Sequence, residues 1–76
     1  MIENLVDLEN YARRNKNTRL LGLVLKAKYG NLEQQFLAIA SILKTLRRKN
    51  ISFSQHLLNE FLLCVCRRGG NGLVEG

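Results

Sequence analysis

Side-chain catalysis needs a nucleophile beside a base, a pair of carboxylates, or a metal with an open coordination position. The sequence offers one histidine, His56, two cysteines, Cys64 and Cys66, and six acids scattered along the chain. No spacing groups a nucleophile with a histidine and an acid. Two thiols and one imidazole fall short of the roughly four ligands of a zinc site. Cys64 and Cys66 lie two positions apart, about 200° around a helix, so they do not readily bridge each other. They read as buried thiols in a reducing compartment. His56 stands beside a helix start and away from the apolar positions, as a surface histidine does. The glycines of RRGGNGLVEG precede neither a lysine nor a helix and make no phosphate loop. The expectation is a protein without catalytic machinery, metal or cofactor.

The basic residues are the other chemistry on offer. Residues 13–49 carry ten bases and one acid, Glu33; residues 1–12 carry Glu3, Asp7 and Glu9 and no base; the net charge is +6. An inert helix surface intersperses the two signs. A block of one sign is the electrostatic footprint of an anionic partner, with a solubilising surface as the alternative. Tyr11 and Tyr29 are able to stack on a base or sugar. The chain lacks the aromatic–basic alternation that holds single strands by stacking, which favours a duplex.

Helices must position these bases. Proline is absent and 46% of residues are apolar, which favours helix over loop. Three helical segments are predicted over about 2–29, 31–49 and 52–68, in one domain spanning 1–69 with a flexible tail at 70–76. In the first segment Leu20, Leu21, Val24, Leu25 and Ala27 share a face, opposite Arg19, Gly22, Lys26 and Tyr29. The polar run at residues 13–17 leaves open whether this segment is continuous or broken, with Thr18 able to cap its second half. Gly30 stops it, as glycine suits the left-handed position after a helix end. Asn31 with Gln34 resembles a capping box, as does Ser52 with Gln55. In the second segment Leu32, Phe36, Ile39, Ala40, Leu43 and Leu46 mark the apolar face, opposite Ala38, Ser41, Lys44, Thr45 and Arg48. The apolar arc of the third segment, with Phe53, Leu57, Leu58, Phe61, Leu62, Cys64 and Val65, is wider than a simple surface helix needs.

Short links at Gly30 and Asn50 make neighbouring helices antiparallel. The predicted fold is all-α: an antiparallel helical hairpin plus one further helix. One small core is marginal at 76 residues, so a homodimer with a four-helix-bundle-like core is expected. Its core and interface would use Phe36, Ile39, Leu43, Phe53, Leu57, Phe61 and Val65. No apolar run is long enough to span a bilayer. The acidic start lacks the form of a signal peptide, so an intracellular protein is expected.

Helices laid side by side bring Arg19 and Lys26 together with Lys44, Arg48, Ser41 and Thr45. A long, flat, basic surface with hydroxyls suits the wide minor groove of an RNA duplex, bordered by phosphates and lined by 2′-hydroxyls. Three alternatives stay open. One is a dimeric DNA-binding regulator, although the third segment fits a recognition helix poorly, being apolar over half its surface. Another is an adaptor that takes a partner helix on the wide arc of the third segment. Binding to a membrane surface is the weakest, because no single helix is sharply amphipathic and basic.

TRLLGLVLKAKYG, LAIASILKTLRRKN and ISFSQHLLNEFLL succeed one another as two basic helices and a serine-capped apolar one. In this order, over roughly residues 18–68, the chain resembles the small RNA-silencing suppressors of nodaviruses, in particular the short forms from fish viruses. The resemblance implies an all-α homodimer that binds double-stranded RNA without sequence preference, in the cytoplasm of the host cell. It would shield RNA from the host's silencing machinery. Arg19, Lys26, Lys44 and Arg48 would then lie along the duplex, with Arg47 and Lys49 secondary. The acidic start and the Cys64/Cys66 pair have no counterpart in that pattern.

Overall fold

The computed structural model describes the backbone of residues 1–75 and the side chains of residues 1–66. Four helices follow one another: α1 (Leu5–Arg14), α2 (Thr18–Tyr29), α3 (Leu32–Arg48) and α4 (Gln55–Glu75). Only helices and one isolated bridge, Ile2 to Phe53, occur among the described residues. The end expected near residue 68 and the tail expected over 70–76 fall where side chains lie outside the described residues.

The segment expected over 2–29 is two helices. Asn17 N–H donates to Ala12 O at 2.9 Å and Lys16 N–H to Arg13 O at 3.1 Å, around Lys16 at φ 52°. These bonds form a Schellman motif with a lysine in the left-handed position. Asn17 then caps α2, its side chain accepting from Leu20 N–H, a role that the sequence alone leaves open to Thr18. The same motif ends α3, where Ile51 N–H donates to Leu46 O and Asn50 sits at φ 57°. Asparagine tolerates that region; lysine bears the full clash of its Cβ. Lys16→Gly is therefore expected to stabilise the fold by about 0.5–1 kcal/mol. A higher urea midpoint at unchanged slope would show it, and a lower midpoint would refute it.

Gly30 stops α2 for a reason other than the one its type suggests. Its backbone is extended, φ −72° and ψ 173°. A Cβ there would lie 2.6 Å from Lys26 O and 2.9 Å from Gln34 Cβ. Glycine is required by close approach of the α2 end to the α3 start, and left-handed geometry plays no part. Asn31 and Gln34 complete a capping box on α3, each side chain bonded to the other's backbone N–H.

α2 and α3 form an antiparallel hairpin and pack more extensively than any other pair. The side of α3 turned to α2 carries Gln35, Ala38, Ile42 and Leu46, all buried. This corrects the expected facing, which put Ala38 on the outer side of α3. The small Ala27 and Ala38 are both buried at this contact, and small side chains let helices approach closely. Gln35 replaces an apolar residue on the buried stripe, which hides that stripe from a hydrophobic pattern. Its amide donates to Ala27 O at 3.0 Å, satisfying a carbonyl in the last turn of α2. Gln35 Oε1 is buried with no partner.

The N-terminus ties this hairpin to α4. Ile2 N–H donates to Ser52 O, and Ser54 N–H to Ile2 O, both at 2.9 Å. Ser54 caps α4, accepting from Leu57 N–H, while its hydroxyl donates to Glu3 O. Ser52, expected as the cap, instead offers its carbonyl to Ile2, and Phe53 precedes the helix. Glu60 on α4 accepts from Leu5 N–H at 2.8 Å. A carboxylate so placed also meets the positive end of the α1 dipole. Leu57 and Phe61 sink into a core with Leu8, Leu20, Val24, Ile42 and Leu46.

Candidate nucleic-acid interface

Leu20, Val24 and Ala27 anchor one side of α2 in the core, which turns Arg19 and Lys26 outward. Arg19 and Lys26 are exposed, seven residues apart and so on one stripe. On α3, burial of Ala38, Ile42 and Leu46 leaves Ser41, Lys44 and Arg48 exposed and Thr45 half-buried.

The two stripes meet at one end of the hairpin. Asn17, Arg19, Leu20 and Leu23 from α2 and its cap face Thr45, Arg48 and Lys49 from α3 around a shared depression. Four of the residues singled out in the sequence, Arg19, Thr45, Arg48 and Lys49, are thereby brought together. Lys26 continues the α2 stripe away from this point, as Ser41 continues that of α3. Lys44 lies one turn before Arg48 on the outer side of α3. Arg47 does not join them. It stands about 100° around the helix from Arg48, on the flank that carries Phe36 and Leu43.

Among the described residues no carboxylate lies within ion-pairing distance of Arg19, Lys26, Lys44, Arg48 or Lys49. The described ion pairs gather elsewhere. Glu9 meets Arg13 at 3.0 Å and Lys28 at 3.2 Å, joining α1 to α2. The hydrogen bonds from Arg13 and then Lys28 hold the Glu9 carboxyl below its ordinary range. The bond to Glu9 raises Lys28 in turn. His56 is exposed and stands 4.0 Å from Glu60. Glu9 and Glu60 thus serve the α1 end, Glu33 stands in the first turn of α3, and the α2–α3 face keeps its positive charge.

The opposite flank of α3 is apolar. Phe36, Ile39 and Leu43 line a groove of about 340 Å³ with Gln55, Leu58, Phe61, Leu62 and Val65 of α4. Phe36 is 56% exposed and Leu62 60%. Of the residues expected in the core or interface, Leu57 and Phe61 are buried, and Ile39, Leu43 and Phe53 pack half-buried against the core. Val65 is half-buried in the groove wall and Phe36 is exposed on it. Cys64 is half-buried against the core and Cys66 is exposed, so only one of the two thiols is sheltered as expected.

Among the described residues no helix is long and apolar enough to cross a membrane, and no three His, Cys, Asp or Glu cluster as metal ligands do. The chain matches no protein-family model, no curated protein and no solved structure.

Proposed function

We propose that the protein is a non-catalytic binder of double-stranded RNA that recognises the duplex by shape and charge, without regard to sequence. The observation that carries this reading is the α2–α3 face itself. Arg19, Lys26, Lys44, Arg48 and Lys49 lie on it with the hydroxyls of Ser41 and Thr45, and no described carboxylate neutralises them. Two rigid, tightly packed helices hold these groups, so little ordering is needed on binding. Phosphates and 2′-hydroxyls are the groups such a face meets across the minor groove of an A-form duplex. Coating of this kind denies the duplex to nucleases and to the loading of short RNAs. That is the role implied by the resemblance to nodaviral silencing suppressors, in the host-cell cytoplasm.

The working form in this reading is a homodimer joined through the α3–α4 groove. Around α3, Ser41, Thr45 and Arg48 stand about 120–180° from Phe36 and Leu43, and Lys44 about 80–100°, so covering the groove leaves the first three open and Lys44 at its rim. A second copy supplies the same apolar wall and adds a second basic face to the assembly. Phe36→Glu is expected to give a folded monomer by light scattering, with duplex affinity lowered at least tenfold. A monomeric parent protein would refute the dimer.

The reading is tested by competition in a gel shift. A labelled RNA duplex of about two turns is challenged with unlabelled RNA duplexes, DNA duplex, RNA–DNA hybrid and single-stranded RNA. Competition by RNA duplexes of any sequence, at excesses where DNA has no effect, is expected. Equal competition by DNA would replace the reading with a general basic binder or a DNA regulator. No shift would leave the apolar groove, and a protein partner for it, as the function.

A further inference from the structure

We propose that the depression between the start of α2 and the end of α3 is a discrete site for one phosphate group in monoester or free form. The proposal deepens the reading of this face as phosphate-binding and rests on it.

The cavity measures about 170 Å³ and is lined by Asn17, Arg19, Leu20, Leu23, Thr45, Arg48 and Lys49. At about 30 Å³ per water molecule, that is room for about five or six waters, enough to admit a tetrahedral oxyanion with part of its hydration. The side chains of the lining are mostly donors. Arg19 and Arg48 present guanidinium donors, Lys49 an ammonium and Thr45 a hydroxyl able to donate. Among the side chains, the Asn17 oxygen already accepts from Leu20 N–H at 3.1 Å, and its amide N–H groups add donors. A cavity whose side chains are mostly donors, with three positive charges and no carboxylate in its lining, is matched by a ligand that mainly accepts and carries one to two negative charges. Leu20, 2% exposed, and Leu23 supply apolar lining, which weakens solvent screening of those charges.

The donors arrive from three directions: the α2 start, the outer face of α3 and the cap residue that follows α3. A phosphate monoester or free phosphate presents at least three oxygens without substituents. An internal diester presents two, and its two ester chains must leave through the walls. The site therefore distinguishes the phosphorylated end of a strand, or phosphate itself, from the continuous backbone that the rest of the face contacts.

The first measurement is a titration of the full chain with inorganic phosphate, followed by amide NMR at constant ionic strength with chloride as the balancing anion. Saturable shifts confined to Asn17, Arg19, Leu20, Thr45, Arg48 and Lys49 are expected. Thr45→Val and Arg48→Ala, both on a preserved helix by circular dichroism, are each expected to weaken binding about tenfold or more. Shifts that never saturate, or that spread equally over Lys26 and Lys44, would overturn the site. So would saturable binding that both variants leave intact.

A second arm compares RNA duplexes bearing 5′-phosphate and 5′-hydroxyl ends. Tighter binding of the phosphorylated duplex, lost in Arg48→Ala, assigns the site to strand ends. Equal binding with phosphate still saturable assigns it to the free anion. Because the phosphate titration contains no RNA, a positive titration beside a failed gel shift would sink the RNA reading while the site stands.

Discussion

Phe61→Ala is expected to destabilise the protein by about 3–5 kcal/mol, much of what a domain of this size possesses. Phe61 is 2% exposed and is the largest fully buried side chain among the described residues. It lies where α4 meets the hairpin, and one edge of it also lines the α3–α4 groove. Truncation removes the main apolar anchor of α4 and leaves a void between that helix and α3. The groove is already open beside it, so partial collapse of α4 keeps the cost within this range. Urea unfolding followed by circular dichroism gives the test. A loss below about 1 kcal/mol would mean that α4 contributes little to the core, and the docking of α4 described above would be wrong.

The second large effect is on binding. Replacing Arg19, Lys26, Lys44 and Arg48 together by alanine is expected to lower affinity for every RNA duplex by roughly three orders of magnitude near 0.1 M salt. Each phosphate contact removed takes nearly one unit from the slope of log affinity against log salt, so four contacts per protomer would flatten it by three to four. All four side chains are exposed, with no described carboxylate partner, and stability is expected to hold or to rise slightly as like charges are removed. A variant with parental affinity and salt slope would place the interface elsewhere. A loss restricted to certain sequences would argue for base reading in place of shape recognition.

How far these features were legible in the chain depends on how local the cause is. The Asn31–Gln34 capping box, the stop at Gly30 and the outward stripe of Arg19 and Lys26 are set within a turn or two, and pattern alone finds them. The break at residues 15–17 is ambiguous in the sequence because lysine carries no signal for a left-handed backbone; the Schellman bonds hold Lys16 there against its preference. Ser52 and Ser54 offer the same cap chemistry, and the pairing of Ile2 with Ser52 and Ser54, some fifty residues away, decides between them. α3 carries two apolar stripes, Leu32–Phe36–Ile39–Leu43 and Ala38–Ile42–Leu46. Gln35 interrupts the second, so hydrophobicity selects the first. Which stripe meets α2 is fixed by the packing of small residues, Ala27 and Ala38, a property of the helix pair. The site follows the same division. Each base could be assigned to a face of its own helix, but the meeting of Arg19 with Thr45, Arg48 and Lys49 depends on the register between α2 and α3. The separation of Arg47 from Arg48 depends on how α3 is rotated about its own axis.

The bonds from Ile2 and Leu5 to Ser52, Ser54 and Glu60 also set the order in which the molecule assembles. A two-residue link between α2 and α3 closes at little entropic cost, whereas joining residue 2 to residue 52 closes a loop of about fifty, costing roughly 3–4 kcal/mol of chain freedom. The hairpin is thus the element able to form first, and the α1–α4 seam closes last and opens first. Native-state hydrogen exchange should find the amides of Ile2, Leu5 and Ser54 released together, well before those of Val24 and Ile42; simultaneous release of all five would show a single cooperative unit instead. The basic face would then be built on the part of the chain that commits earliest, and a protein whose α4 has come loose would still carry it intact.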